Sequence, residues 1–136
     1  MDPNNSKDWL DIANERAADA EAILKNRSQS IGSVYMAGYA IESSLKALLQ
    51  SRNTSFPKHG NQGHNLQGLW EAAGFRLSDI RDSTGAKTFF IENWDTSLRY
   101  KITCNSSLTM AELVDGAKQL TNFIKFKISR KSGRRR

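Results

Sequence analysis

Residues 30–51 constrain the fold more than any other part of the chain, because wound as an α-helix they are apolar almost all the way round. A helix of that kind must be covered on every side, which predicts a central position in a helical bundle. Inside it, the stretch YMAGYAIESSLKALL (residues 35–49) sets Glu42 and Lys46 one helical turn apart among residues otherwise fit for complete burial. At positions i and i+4 with the glutamate first, the two share a face in the favoured order for an ion pair. On so apolar a helix each charge also needs a partner to offset its desolvation. Gly38, a residue that weakens a helix, implies a close neighbour, and the expectation is a second helix crossing there.

Three further helices follow from the pattern, and no stretch alternates as a half-buried strand does. The first is predicted from Ser6 or Lys7 to Asn26, with Ser6 as the cap and Trp9, Ala13, Ala17, Ala20 and Leu24 as its buried stripe. Residues 52–65, RNTSFPKHGNQGHN, hold Pro57, Gly60 and Gly63 and read as a loop, long for a connection inside a bundle. A short helix over residues 66–73 follows, capped by Asn65 and stopped by Gly74, with Leu69 and Trp70 inward. Residues 87–94 predict one or two helical turns anchored by Phe89, Phe90 and Trp94. The last helix starts at Thr109, where Thr109-x-x-Glu112 fits a capping box, and Leu113, Val114, Ala117, Leu120, Ile124 and Ile128 extend its buried face. The fold class is therefore all-α, one bundle over residues 1–128 with a basic tail at 129–136.

Charge and composition narrow the function. Hydrophobic residues make up 38% of the chain and charged ones 25%, as in an ordinary globular domain. No apolar run approaches the roughly 20 residues of a membrane helix. The opening MDPNNSKDW is acidic and polar where a signal peptide is basic and then apolar, so a cytoplasmic protein is expected. The formal charge is +6, yet Lys125, Lys127, Arg130, Lys131, Arg134, Arg135 and Arg136 supply seven of the 20 basic residues, and no acid lies beyond residue 124. The remaining 13 basic and 14 acidic side chains leave residues 1–124 at a formal −1. Such a basic end is drawn to phosphate backbones through counterion release and reads no bases by itself.

The catalytic motifs are weaker. Ser43-Ser44-Leu45-Lys46 matches S-x-x-K, but the S-D-N and K-T-G elements that accompany it are absent. Gly85-Ala86-Lys87-Thr88 has the ending of a phosphate loop, with Ile80 where the earlier glycine belongs and no strand ahead of it. His59 and His64 lack the partners of a metal site, and Cys104 stands alone, so neither a metal nor another cofactor is expected.

Taken in order, Trp9 on an alanine-rich first helix, GYAIESSLKALL, His64-x-Leu66 with Leu69 after it, and Leu98-Arg99-Tyr100 resemble a HEPN domain over about residues 8–128. The branch is the one whose central helix reads A-x-E-x-x-L-K-A-L-L. The resemblance implies an antiparallel bundle of four or five helices, often dimeric, from prokaryotic toxin–antitoxin, phage-defence and RNA-processing systems, frequently beside a nucleotidyltransferase. Catalytic members are metal-independent endoribonucleases with an R-x(4–6)-H motif late in the fold. Here the late arginine is Arg99 and no histidine follows it. Arg52 and His59 satisfy the spacing only at the exit of the central helix. The expectation is thus a non-catalytic subunit that binds RNA through its basic end and a protein partner, whether a nucleotidyltransferase, a defence effector or a second copy. The alternative is a ribonuclease toxin using Arg52 and His59. Glu42, Lys46, His64, Arg99 and Tyr100 are expected to form one polar cluster where the long loop and the Arg99 segment fold back over the central helix.

Overall fold

The computed structural model describes residues 5–56, 64–100 and 107–133, with the side chains of residues 99–100 and 129–133 outside that description. Its α-helices are α1 (Ser6–Asn26), α2 (Gly32–Ser51), α3 (Leu66–Ala72), α4 (Ala86–Asn93) and α5 (Met110–Gly133), with short 3₁₀ turns at Leu77–Asp79 and Thr96–Tyr100. No strand occurs among the described residues. The fold is an all-α bundle.

Local chemistry sets where each helix begins. Asn5, not Ser6, caps α1, its side chain accepting the amide N–H of Asp8 at 2.9 Å. Ser6 instead donates its hydroxyl to the Ala47 carbonyl at 3.0 Å, tying the start of α1 to the end of α2 and fixing the two as an antiparallel pair. Asn65 caps α3 by accepting the N–H of Gly68 at 3.1 Å. The Thr109 capping box forms in full: Thr109 Oγ1 accepts the N–H of Glu112 at 3.1 Å and Glu112 Oε1 accepts the N–H of Thr109 at 2.9 Å.

α2 lies at the centre, with Val34, Ile41, Leu45, Ala47, Leu48 and Leu49 all fully buried. α1 covers one side of it and α5 another, with α3 and the 3₁₀ turn at Thr96–Tyr100 also against it, while α4 packs on α5 and α3. The predicted stripe of α5 is buried from Leu113 to Ile128, as are Leu69 and Trp70 of α3 and Phe89, Phe90 and Trp94 at α4. The predicted stripe of α1 is buried at Trp9, Ala13 and Ala20, whereas Ala17 and Leu24 are only partly covered.

The neighbour of Gly38 is a side chain rather than a crossing helix. A Cβ there would lie 2.0 Å from the indole of Trp94, which occupies the space beside the bare backbone of α2. The close helix approach falls instead at Gly116 of α5, where a Cβ would meet the Ala86 Cβ of α4 at 2.6 Å. The reason is size. An indole needs the space that a crossing backbone would have taken, and α4 ends at Asn93 so that Trp94 turns inward.

Candidate functional site

Glu42 and Lys46 lie on the covered face of α2, with only 4% and 1% of their surfaces exposed. Lys46 Nζ donates to Glu42 Oε2 at 3.0 Å. The other carboxylate oxygen, Oε1, takes Nδ1 of His64 at 2.8 Å. The carboxylate therefore bridges an ammonium and an imidazole. Lys46 Nζ also lies 4.9 Å from the centroid of the Trp9 ring, whose electron-rich face replaces part of the lost hydration.

His64 reaches this position because of its place in the chain. It immediately precedes the Asn65 cap, and Leu66 and Leu69 anchor α3 in the core, so the start of α3 delivers the imidazole to the middle of α2. The edge of Tyr39 closes one side of the ring, with centroids 5.8 Å apart. Tyr39 in turn meets Trp94 at 5.3 Å, and its hydroxyl lies 3.0 Å from that of Tyr35. His64 stays 30% exposed on its side chain and lines an open cleft of about 510 Å³ with Glu92, Asn93, Asp95, Thr96 and Ser97.

Of the five residues expected to form a polar cluster, three meet: Glu42, Lys46 and His64. The side chains of Arg99 and Tyr100 lie outside the described residues. Trp9 and Tyr39 join the cluster without having been singled out for it. Tyr39 was accessible from spacing, since residues 39, 42 and 46 fall on one helical face. Trp9 comes from a different helix and left no such trace.

Arg52, one half of the alternative ribonuclease pair, has a structural task. Its Nη1 donates to the carbonyl of Ala73 at 2.7 Å, satisfying the open end of α3 from the end of α2. His59, the other half, lies outside the described residues. At the basic end, Lys125 Nζ donates to Asn14 Oδ1 on α1, and burial lowers its ammonium from the ordinary lysine range. Lys127 lies over the Phe123 ring at 5.2 Å. The backbone of α5 runs on through residues 130 and 131 to Gly133, while the side chains of Arg130 and Lys131, and all of Arg134, Arg135 and Arg136, lie outside the described residues.

The phosphate-loop likeness at residues 85–88 also has a physical resolution. The start of α4, where an anion is favoured, is occupied by the chain's own Asp82, whose carboxylate accepts the N–H groups of Gly85, Lys87 and Thr88 at 3.1, 3.3 and 2.8 Å. Burial pushes the Asp82 carboxyl upward, but a hydrogen bond from the Thr88 side chain and these backbone ones together outweigh it and hold the group below its usual range. A depressed folded-state pKa contributes stability that is complete above the unfolded value of about 3.9 and is lost as pH falls through the folded value. Asp82→Ala should therefore cost about 1 kcal/mol at pH 7, in the range of a lost helix cap, and the gap from the parent should close on acidification below about pH 4. Urea unfolding of both proteins at pH 7 and pH 3 checks this.

Among the described residues no group of three or more histidine, cysteine, aspartate or glutamate side chains could hold a metal ion. No described helix is long and apolar enough to cross a membrane.

The family model for the HEPN domain matches residues 6–127, nearly the whole described bundle. The chain belongs to the HEPN domain family. No curated protein sequence matches it. Among solved structures, the HEPN bundle is similar to the crystal structure of ST0689, an archaeal HEPN homologue, with a TM-score of 0.60 over 93% of this chain and 99% of that one. At 16% identity that likeness concerns the fold.

Proposed function

We propose that this HEPN protein is a non-catalytic helical subunit of a prokaryotic defence or toxin–antitoxin system, associated with a nucleotidyltransferase-type partner or a second copy of itself, that binds RNA through its basic C-terminal segment in the cytoplasm. The observation that carries the non-catalytic part is the engagement of Arg52. A guanidinium that steadies a scissile phosphate must present its donors to the substrate, and this one spends a donor on the end of α3. The RNA-binding part rests on charge: residues 1–124 are formally −1, so the positive potential that attracts a polyanion is concentrated in the last twelve residues.

The test is a cleavage assay on single-stranded RNA without added metal, run on the isolated chain and on the complex purified from its host. RNA is expected to be bound and recovered intact, and Arg52→Ala should lower the melting temperature without altering that result. Cleavage leaving 2′,3′-cyclic phosphate ends, abolished by Arg52→Ala and by His59→Ala alike, would replace this reading with the ribonuclease one.

A further inference from the structure

Phe126 is the most exposed large hydrophobic side chain among the described residues, with 56% of its surface open. Helix geometry puts it there. Leu120, Ile124 and Ile128 run along the buried side of α5 at four-residue steps, and position 126, two residues on from Ile124, is turned from it by about 200°. Asn122, one turn back from Phe126, is exposed as well. An isolated phenylalanine on a surface is ordinary, and what sets this one apart is the charge around it.

Every charged side chain from residue 118 to the end of the chain is basic. The last acid, Asp115, lies eleven residues before Phe126, about 16 Å back along the axis of α5, and its carboxylate accepts from Gln119 at 2.8 Å. Lys125 and Lys127 flank Phe126 in the chain, and Arg130 follows it by one helical turn. Both lysines are engaged elsewhere, Lys125 with Asn14 and Lys127 over the Phe123 ring. Phe123 is engaged too, with its ring 6.0 Å from that of Trp70 and 5.3 Å from that of Phe75. Phe126 keeps its ring open to solvent at the start of the most basic part of the molecule.

Building on the reading that the basic C-terminal segment binds RNA, we propose that Phe126 is a stacking platform for one base of a single strand whose phosphates that segment holds. A base offers a flat π face, which an exposed ring matches, and it arrives with a phosphate that the cations attract. The strand must be single, because a base inside a duplex already has both faces stacked. A protein partner fits this surface less well. A stable protein contact covers about 800 Å² on each side around an apolar centre, whereas this ring is bordered by a polar Asn122 and by basic residues. A single base needs no more than one ring.

The experiment measures binding of the full chain to a fluorescent single-stranded oligoadenylate, to end-labelled inorganic polyphosphate and to an RNA duplex, by anisotropy over a range of salt. Phe126→Ala is expected to weaken oligoadenylate binding about tenfold, the scale of one lost base stack, and by the same factor at every salt concentration, since stacking releases no counterions. Its affinities for polyphosphate and duplex, and its melting temperature, should match the parent's. Phe126→Trp should keep the oligoadenylate affinity and Phe126→Leu should lose it, because an aliphatic side chain has no flat π face. Equal losses on all three probes, a changed salt slope, or full affinity in Phe126→Leu would overturn the proposal. Full oligoadenylate affinity in Phe126→Ala, together with loss of a co-purifying protein, would overturn it in favour of a protein contact. Full affinity in the chain truncated after Ile128 would overturn the basic-segment reading and this one with it. A truncation that weakens binding beside a Phe126→Ala that does not would overturn this one alone.

Discussion

Glu42→Ala is expected to destabilise the protein by about 3–5 kcal/mol, because it leaves the ammonium of Lys46 buried without its carboxylate. Lys46 is 1% exposed, and the ring of Trp9 at 4.9 Å cannot replace a full opposing charge. Set against a typical domain stability of about 5–15 kcal/mol, such a loss removes a large share of the folding free energy and, at the low end of that range, brings the variant to its unfolding midpoint. Three comparisons separate the buried pair from charge in general. Lys7→Ala, at an ion pair of the same spacing whose partners are 82% and 61% exposed, should leave the urea midpoint where it was. Replacing both members, Glu42→Leu with Lys46→Met, should recover most of the loss, since apolar residues of similar volume often substitute for a buried pair at little cost. His64→Ala should cost less than Glu42→Ala, since the imidazole is partly exposed and its loss leaves the buried charges matched. If Glu42→Ala and Lys7→Ala shift the midpoint equally, the pair contributes nothing through its burial.

The charged pair was legible in the sequence because helical spacing is rigid. Once residues 30–51 are read as a buried helix, the four-residue step from Glu42 to Lys46 leaves them on one face and in need of a partner. His64 was legible for a related reason, since an asparagine cap followed by Leu66 and Leu69 fixes where α3 begins and hence where the preceding residue sits. The capping box at Thr109 shows the same local determinism. What the sequence concealed was the identity of partners brought from afar. Gly38 announced a close neighbour, but a crossing backbone and an inserted indole make the same demand for an absent Cβ. Asn5 and Ser6 are both good caps one residue apart. The choice between them fell to a tertiary bond, as the Ser6 hydroxyl finds Ala47 on α2 and leaves the capping to Asn5. Asp82 was invisible for a third reason: residues 85–88 drew attention to an external anion, and the chain supplies an internal one.

Truncation after Ile128 is expected to cut RNA affinity by orders of magnitude at low salt while leaving the melting temperature unchanged. The deletion removes Arg130, Lys131, Arg134, Arg135 and Arg136, five positive charges, and no acidic residue. Each phosphate neutralised on a single strand contributes about 0.7 to the slope of log affinity against log salt, so losing five contacts should flatten that slope by about 3.5. The two proteins should differ most at the lowest salt and converge as salt rises, which separates counterion release from a loss of shape. The fold should survive because the truncation keeps every residue of α5 that is buried among those described, Ile128 included. Lys125 and Lys127 remain in the truncated chain, but Lys125 already donates to Asn14 and Lys127 rests over Phe123, which leaves them less able to follow a phosphate backbone. Lys125→Ala with Lys127→Ala in the full chain should therefore change the slope less than the truncation does. Filter binding of a fluorescent single-stranded RNA at several salt concentrations measures all three proteins. Equal slopes for the full and truncated chains would mean that the terminal charges do not touch RNA, and that any affinity arises on the near-neutral bundle.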